Sequence, residues 1–433
     1  MSTIATADLV RVVLPNGLPV LLKPLPGTGA TSLFAFAKAG GMLDGDRPGL
    51  ARFVGSMLMH GTRARSAQQL AEDLDAIGAS LSAASGLEIT TVVGRALSAD
   101  LPVLVAAAAE VLLTPTFPPD ETEKIRGQLV TAVRVNALDT RAAAERLFRR
   151  MTYPVGHPHS RPPDGDETVL TSLTPGDLLA FHGRHFTPEE AAVIVAGEID
   201  GSATMELIQQ AFGGWRSTGA WALPRFTPPA PLDGPRRASL HLPGKTQADL
   251  VLGGPGVART DDRYYAVMMA NLVLGQLGMM GRIGESVRER QGMAYYAYSD
   301  LRAALLDGPW WVRAGVNPAN VDRAVTAIVH EIRTLQHDGP EDDELTDARR
   351  FLVGSLAVRL ETTQGIAQAL ADVELYGLGL DYLERYPSII EGVSRDAIMA
   401  AINQFPIDGY VLAVAAPEPS PAADSAPRSH PAA

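Results

Sequence analysis

The sequence predicts an α+β protein made of two tandem homologous domains, each an antiparallel sheet covered on one face by helices. Three observations carry this. The same order of element types runs along the chain twice. A Pro-, Gly- and Ala-rich stretch with little periodicity, residues 217–235, separates the two runs and reads as a linker. Each run also closes on a strongly β-prone segment, 191–196 in the first and 409–415 in the second.

In the first copy, residues 1–216, an apolar strand candidate at 32–38 is followed by a helix at 50–60. A β-rich stretch follows at 89–93, then a long helical pattern at 101–113. A segment opening with acidic residues, among them Glu121 and Glu123, spans 119–134. The second copy, residues 236–416, repeats the series: strand 249–253, helix 264–274, strand 310–316, helix 321–335 and an acid-led segment at 340–360. Residues 417–433, rich in Pro, Ala and Ser, are expected to be a disordered tail.

The chain has 433 residues, 46% hydrophobic and 20% charged, ample for two buried cores. Its formal net charge of -12, with no long Lys/Arg run, repels phosphate backbones and argues against nucleic acid as a partner. No run approaches the roughly 18 apolar residues that a membrane span needs. There are no cysteines, so disulfides, thiolate catalysis and Cys-ligated metals are excluded. No basic flank followed by an apolar run opens the chain. A cytoplasmic home is the expectation, with the periplasm left open.

The most informative segment is Gly49-Leu50-Ala51-Arg52-Phe53-Val54-Gly55-Ser56-Met57-Leu58-Met59-His60-Gly61-Thr62. It resembles the signature of the pitrilysin/insulinase family of zinc peptidases, G-L-A-H-F-L-E-H-M followed by a short apolar stretch and G-T. In that signature two His four apart share a helix face and bind one Zn²⁺, with the Glu between them as general base. Here Arg52 stands at the first His, Gly55 at the Glu and Ser56 at the second His. Arg52 is a permanent cation, Gly55 has no side chain to take a proton, and a neutral Ser56 hydroxyl is a poor zinc ligand. The family's third ligand is a Glu on a later helix, yet residues 125–138 contain no Asp or Glu.

Other segments keep the family's order. Leu14-Pro15-Asn16-Gly17-Leu18 resembles its opening turn, and residues 74–86, Pro115-Thr116-Phe117 and Gly156-His157-Pro158 resemble later stretches. In the second half Gly244-Lys245-Thr246-Gln247-Ala248-Asp249, Asn271-Leu272-Val273-Leu274-Gly275 and Leu360-Glu361-Thr362-Thr363-Gln364-Gly365 fit as well. Val287-Arg288-Glu289-Arg290-Gln291-Gly292-Met293-Ala294-Tyr295 is close to the family's V-R-E-K-R-G-L-A-Y. Each motif alone is weak; their shared order, across residues 8–416, carries the resemblance.

Residues 283–291 read as a helix with Gly292 at its C′ position, which puts Tyr295 just past the turn from Arg288. In the family this Arg and Tyr reach the zinc site, bind the substrate's carbonyl and help stabilise the tetrahedral intermediate, a task suited to two hydrogen-bond donors. The resemblance therefore implies a chain that holds no metal at Arg52, Gly55 and Ser56 and contributes Arg288 and Tyr295. Zn²⁺ is then expected in a homologous partner subunit, as in heterodimeric members of the family and, with a related division of labour, in mitochondrial processing peptidase. Peptides or small unfolded proteins would bind as an added strand. The alternative is an inert structural or assembly protein of the same fold, like the core proteins of respiratory cytochrome complexes.

A relocated metal site is a third reading. His157 and His159, or His182 and His185, are its candidates, but neither pair has an acid within its spacing, and His60 stands alone at a helix end. The stretch from Gly275 to Gly284 carries four glycines without the Gly-Lys-Ser/Thr pattern of a phosphate loop. Trp310 and Trp311 are expected to be half-buried strand residues.

Overall fold

The computed structural model describes residues 8–217, 223–403, 405 and 407–417. Eleven strands form two sheets. The first has β1 (Val10–Val13), β2 (Pro19–Pro24), β3 (Ala30–Ala37), β4 (Ser80–Ser85), β5 (Thr90–Leu97) and β6 (Ala191–Gly197), in the order β1-β2-β6-β3-β5-β4. The second has β7 (Arg236–Leu242), β8 (Ala248–Pro255), β9 (Ala294–Leu301), β10 (Pro309–Val316) and β11 (Val411–Pro417), in the order β7-β11-β8-β10-β9. Both sheets are antiparallel except for one parallel pair each, β2 with β6 and β7 with β11. In each case the closing β-prone run has come back to an interior position of its sheet.

Each half packs its own helices on one sheet face. Leu33, Ala35, Val193 and Val195 look into the first core with helices Leu50–Met57 and Leu101–Leu113. Leu250, Leu252, Trp310 and Val312 look into the second with helices Tyr264–Gly275 and Val321–Asp338. The opposite faces are apolar too, because successive strand residues alternate sides. They are covered by exchange. Helix Thr363–Tyr376 of the second half lays Ile366, Leu370 and Val373 on Phe34, Phe36 and Ile194 of the first sheet. Helix Thr140–Thr152 of the first half lays Ala143, Ala144 and Phe148 on Val251, Trp311 and Ala413 of the second.

The two exchanged helices are fastened alike. The hydroxyl of Thr363 shares a 2.8 Å hydrogen bond with that of Ser32 in β3, and the Thr140 hydroxyl donates to the Asp249 carboxylate in β8 at 2.5 Å. Each helix is also capped at its start, by Thr362 and by Asp139.

This exchange corrects one expectation. Trp310 and Trp311 are fully buried, not half-buried, since both faces of β10 are covered. Trp310 donates to Asn271 at 2.8 Å and stacks on Phe405, while Trp311 meets Phe148 edge-on. Smaller differences follow from local geometry. The helix expected over 50–60 closes at Met57, and the one over 283–291 is an α-turn, Gly281–Gly284, running into a π-helix, Glu285–Arg290. Pro417, expected to begin the tail, ends β11; the rest of that expected tail lies outside the described residues. Residues 223–235 form neither helix nor strand. Among the described residues no helix is long and apolar enough to cross a membrane.

Candidate functional site

Helix Leu50–Met57 starts on a buried carboxylate. Asp44 accepts from the backbone N–H groups of Gly49 at 2.8 Å and Ala51 at 2.7 Å, satisfying donors that open a helix. Burial pushes this carboxyl up to about 6, against the pull of those two bonds. The helix turns Leu50, Phe53, Val54 and Met57 into the core and leaves Arg52 and Ser56 half-buried on another face.

Arg52 donates to Asp164 at 2.5 Å, and Asn136, near the end of helix Pro119–Ala137, donates to the other oxygen of the same carboxylate at 2.7 Å. One acid thus ties together the two helices on which the resemblance would place zinc ligands. Asp164 sits in a Pro-rich loop held against the start of helix Leu50–Met57 by the Asp166 N–H, which donates to the Pro48 carbonyl at 3.1 Å. The cation held at this place is a guanidinium.

Gly55 stands where helix and edge strand touch. A Cβ at position 55 would lie 2.6 Å from both the Cβ and the backbone N of Ser85 in β4. A carboxylate side chain there requires the helix to lift off the strand. Zn²⁺, which the resemblance would imply for an active member, does not fit this set: a fixed cation, a glycine and a neutral hydroxyl, with no acid on residues 125–138. Among the described residues no three His, Asp or Glu converge elsewhere. His157 instead stacks on Tyr153 and His159 packs tilted against the same ring, and burial pushes His159 down to about 3. His182 is bonded to the Leu112 carbonyl, and His60 to Glu121.

Arg288 lies in the π-helical turn, half-buried and beside Glu289 at 3.5 Å. The Gly292 N–H donates to the Arg288 carbonyl at 3.0 Å, and the positive φ of Gly292 (59°) turns the chain into β9. Tyr295 then stands on this edge strand, 83% exposed.

A cavity of about 660 Å³ opens between the two halves. Arg52 and Ser85 line it from the first sheet's side, Trp311 and Arg313 of β10 from the other, and Glu145 and Arg149 of helix Thr140–Thr152 from between. Arg288 and Tyr295 are not part of its lining. Glu145 accepts from Arg149 at 2.8 Å and from Arg313 at 2.5 Å. Burial alone would raise its pKa, but the two guanidiniums hold it below the usual carboxylate range. None of Asp164, Glu145, Arg149 and Arg313 emerges from the sequence, since each acts through a partner or a wall distant along the chain.

Comparison with known proteins identifies the family. Residues 20–156 match the model of the insulinase family (peptidase family M16), and residues 172–352 match that of the peptidase M16 inactive domain. An uncharacterized zinc protease of Streptomyces coelicolor is 28% identical over 405 residues, covering 90% of this chain and 87% of the relative. One from Mycobacterium tuberculosis is 27% identical, covering 95% of this chain and 93% of its own. The crystal structure of a peptidase M16 inactive domain from Pseudomonas fluorescens superposes with a TM-score of 0.88 at 24% identity, over 95% of this chain and 98% of that one. A protease from Helicobacter pylori gives 0.87 at 20% identity, over 94% and 99%. With the fold, the order of motifs and both family models in agreement, the chain belongs to the insulinase family, peptidase family M16, as a member without the family's zinc motif.

Proposed function

We propose that this chain is the non-catalytic, substrate-binding subunit of a heterodimeric zinc metallopeptidase acting on peptides or small unfolded proteins. A homologous partner subunit supplies Zn²⁺ and the general base, and the pair works in the cytoplasm. The observation that carries this reading is the contrast between two places. The zinc position is filled by the Arg52–Asp164 ion pair and shut by the Gly55–Ser85 contact, while Tyr295 stays open to solvent with Arg288 close by in sequence. A substrate has an edge to join: β4 pairs with β5 on one side and is the last strand of its sheet.

The chain's own contribution is to bind and to donate. Arg288 and Tyr295 offer N–H and O–H groups to a substrate carbonyl in the partner's site, where negative charge develops on oxygen. Mixing the protein with its zinc-bearing homologue and measuring peptide hydrolysis tests this. Arg288→Ala should lower kcat/KM by roughly 10²-fold or more, since one oxyanion donor contributes about 2.7–4 kcal/mol. Tyr295→Phe should act in the same direction. Size exclusion must show that both variants still assemble with the partner. If they assemble and the mixture cleaves as well as wild type, the pair is structural and the inert-scaffold alternative takes over.

A further inference from the structure

A second cavity, of about 310 Å³, lies wholly within the second half, and neither Arg288 nor Tyr295 lines it. The loop after β8, helix Tyr264–Gly275, the C-terminal half of helix Asp342–Arg359 and helix Tyr382–Glu391 surround it. Its charged centre is Arg259, half-buried and with no carboxylate in ion-pairing reach among the described residues. Nη2 of Arg259 donates to the hydroxyls of Tyr382 at 2.8 Å and Tyr265 at 3.3 Å. The ring of Tyr264 lies against the same guanidinium, with 4.1 Å from the guanidinium carbon to the ring centroid. Nε and Nη1 make no hydrogen bond among the described residues, and neither is sealed from solvent. The N–H on Nε and the two on Nη1 are therefore open to an acceptor from outside the chain.

The walls narrow the choice of acceptor. Arg359, the other arginine at the cavity, is engaged by Asp372 at 3.4 Å, so the cavity offers one unpaired positive charge. The hydroxyls of Tyr264 and Tyr386, which also line it, have no hydrogen-bond partner among the described residues and are not sealed. The remaining wall is apolar: the rings of Tyr382 and Tyr386 meet edge-on at 5.8 Å beside Met268, Leu352 and Leu356. One cation set among aromatic rings suits a ligand with one negative charge and a flat apolar body. A dianion would bring its second charge toward Asp372, where like charges repel. At about 310 Å³ the cavity stands at the small end of ligand pockets, which suits a free acid of one ring better than a polypeptide.

We propose that this cavity binds a small aromatic monocarboxylate, with its carboxylate on Arg259 and its ring among Tyr264, Tyr382 and Tyr386. No residue of the substrate-binding reading lines this cavity, so the two stand or fall separately.

Isothermal titration of the full-length protein tests it, with 3-phenylpropionate, its amide, acetate, inorganic phosphate and N-acetylglycylphenylalanine as probes. Phenylpropionate should bind saturably, one per chain. The amide lacks the charge and acetate lacks the ring, and each should bind about tenfold more weakly or worse. Ser355 is exposed at the cavity's edge, so Ser355→Phe should fill the space and abolish binding with the melting temperature unchanged. Arg259→Gln should weaken binding by about tenfold or more. Should that variant fail to fold, the amide comparison and Ser355→Phe decide the matter. The amide or phosphate binding as tightly as phenylpropionate would overturn the monocarboxylate chemistry. Tighter binding of the acetylated dipeptide would overturn the free acid in favour of a peptide C-terminus. No saturable binding of phenylpropionate, or binding unchanged in Ser355→Phe, would overturn the site itself.

Discussion

Helix Leu50–Met57 of the first half and helix Tyr264–Gly275 of the second do the same thing with different neighbours. Each brings a glycine onto a serine of its own half's edge strand: a Cβ at Gly55 would lie 2.6 Å from Ser85, and one at Gly275 2.3 Å from the backbone N and Oγ of Ser299. The second-half helix is buried almost throughout, whereas the first keeps Arg52 and Ser56 half-buried, with Arg52 on the cavity wall. What this teaches is that Gly55 is more than a missing base. The first half has the same closed helix–strand contact as the second, so a side chain at position 55 meets the backbone of Ser85.

The exchanged helices offer the largest test of that symmetry. Phe148→Ala on the first half's helix should cost about 3–5 kcal/mol and Leu370→Ala on the second's about 2–5 kcal/mol, both by leaving buried cavities. Denaturant unfolding should show both halves melting together in each variant. Two separate transitions in either would break the picture of two sheets each completed by the other.

Next come the glycines. Gly55→Ala and Gly275→Ala should each cost about 1–3 kcal/mol through overpacking against a strand that cannot step aside freely. The triple variant Arg52→His, Gly55→Glu, Ser56→His should melt lower still and take up no stoichiometric Zn²⁺ by metal analysis, since two His without a third ligand make half a site. Full melting temperature together with one zinc per chain would show that the helix lifts off easily.

Asp44 sharpens the comparison through pH. Its carboxyl is raised from 3.8 to about 6 by burial, so the folded protein binds the proton more tightly than the unfolded chain does. Stability from this group is present below pH 3.8 and is lost as pH rises through about 6. Asp44→Asn should flatten the fall in unfolding free energy across that window by an amount on the order of 2 kcal/mol, read by denaturant unfolding at each pH. An unchanged profile would mean that another group carries it.

The smallest effect belongs to the Arg52–Asp164 ion pair. Arg52 is 32% and Asp164 18% exposed, so Arg52→Ala should cost about 1 kcal/mol or less. A cost several times larger would make the pair a structural tie between helix Leu50–Met57 and the loop that carries Asp164.

Both core elements and both halves were legible in the sequence because strands such as β6 and β11 and helices such as Leu101–Leu113 announce themselves by local pattern and by recurring in order. β1 and β7 were not, since their residues are mostly exposed and arginine interrupts the one and opens the other. The loss of ligands at Arg52, Gly55 and Ser56 was equally readable, because those chemistries depend on residue type alone. Which acid would meet Arg52 was not: Asp164 lies 112 positions away, and no spacing rule links them.

The sequence by itself determined the repeat, the two sheets and the chemistry missing from the first half, since periodicity and side-chain type are local properties. Only the tertiary structure decided that each half's spare helix closes the other's sheet, that Trp311 is wholly buried, and that Asp164 meets Arg52. The physical reason is that a strand's sequence marks a face as apolar without saying what will cover it, and a charge or donor acquires its meaning from the group that folding brings within about 3 Å.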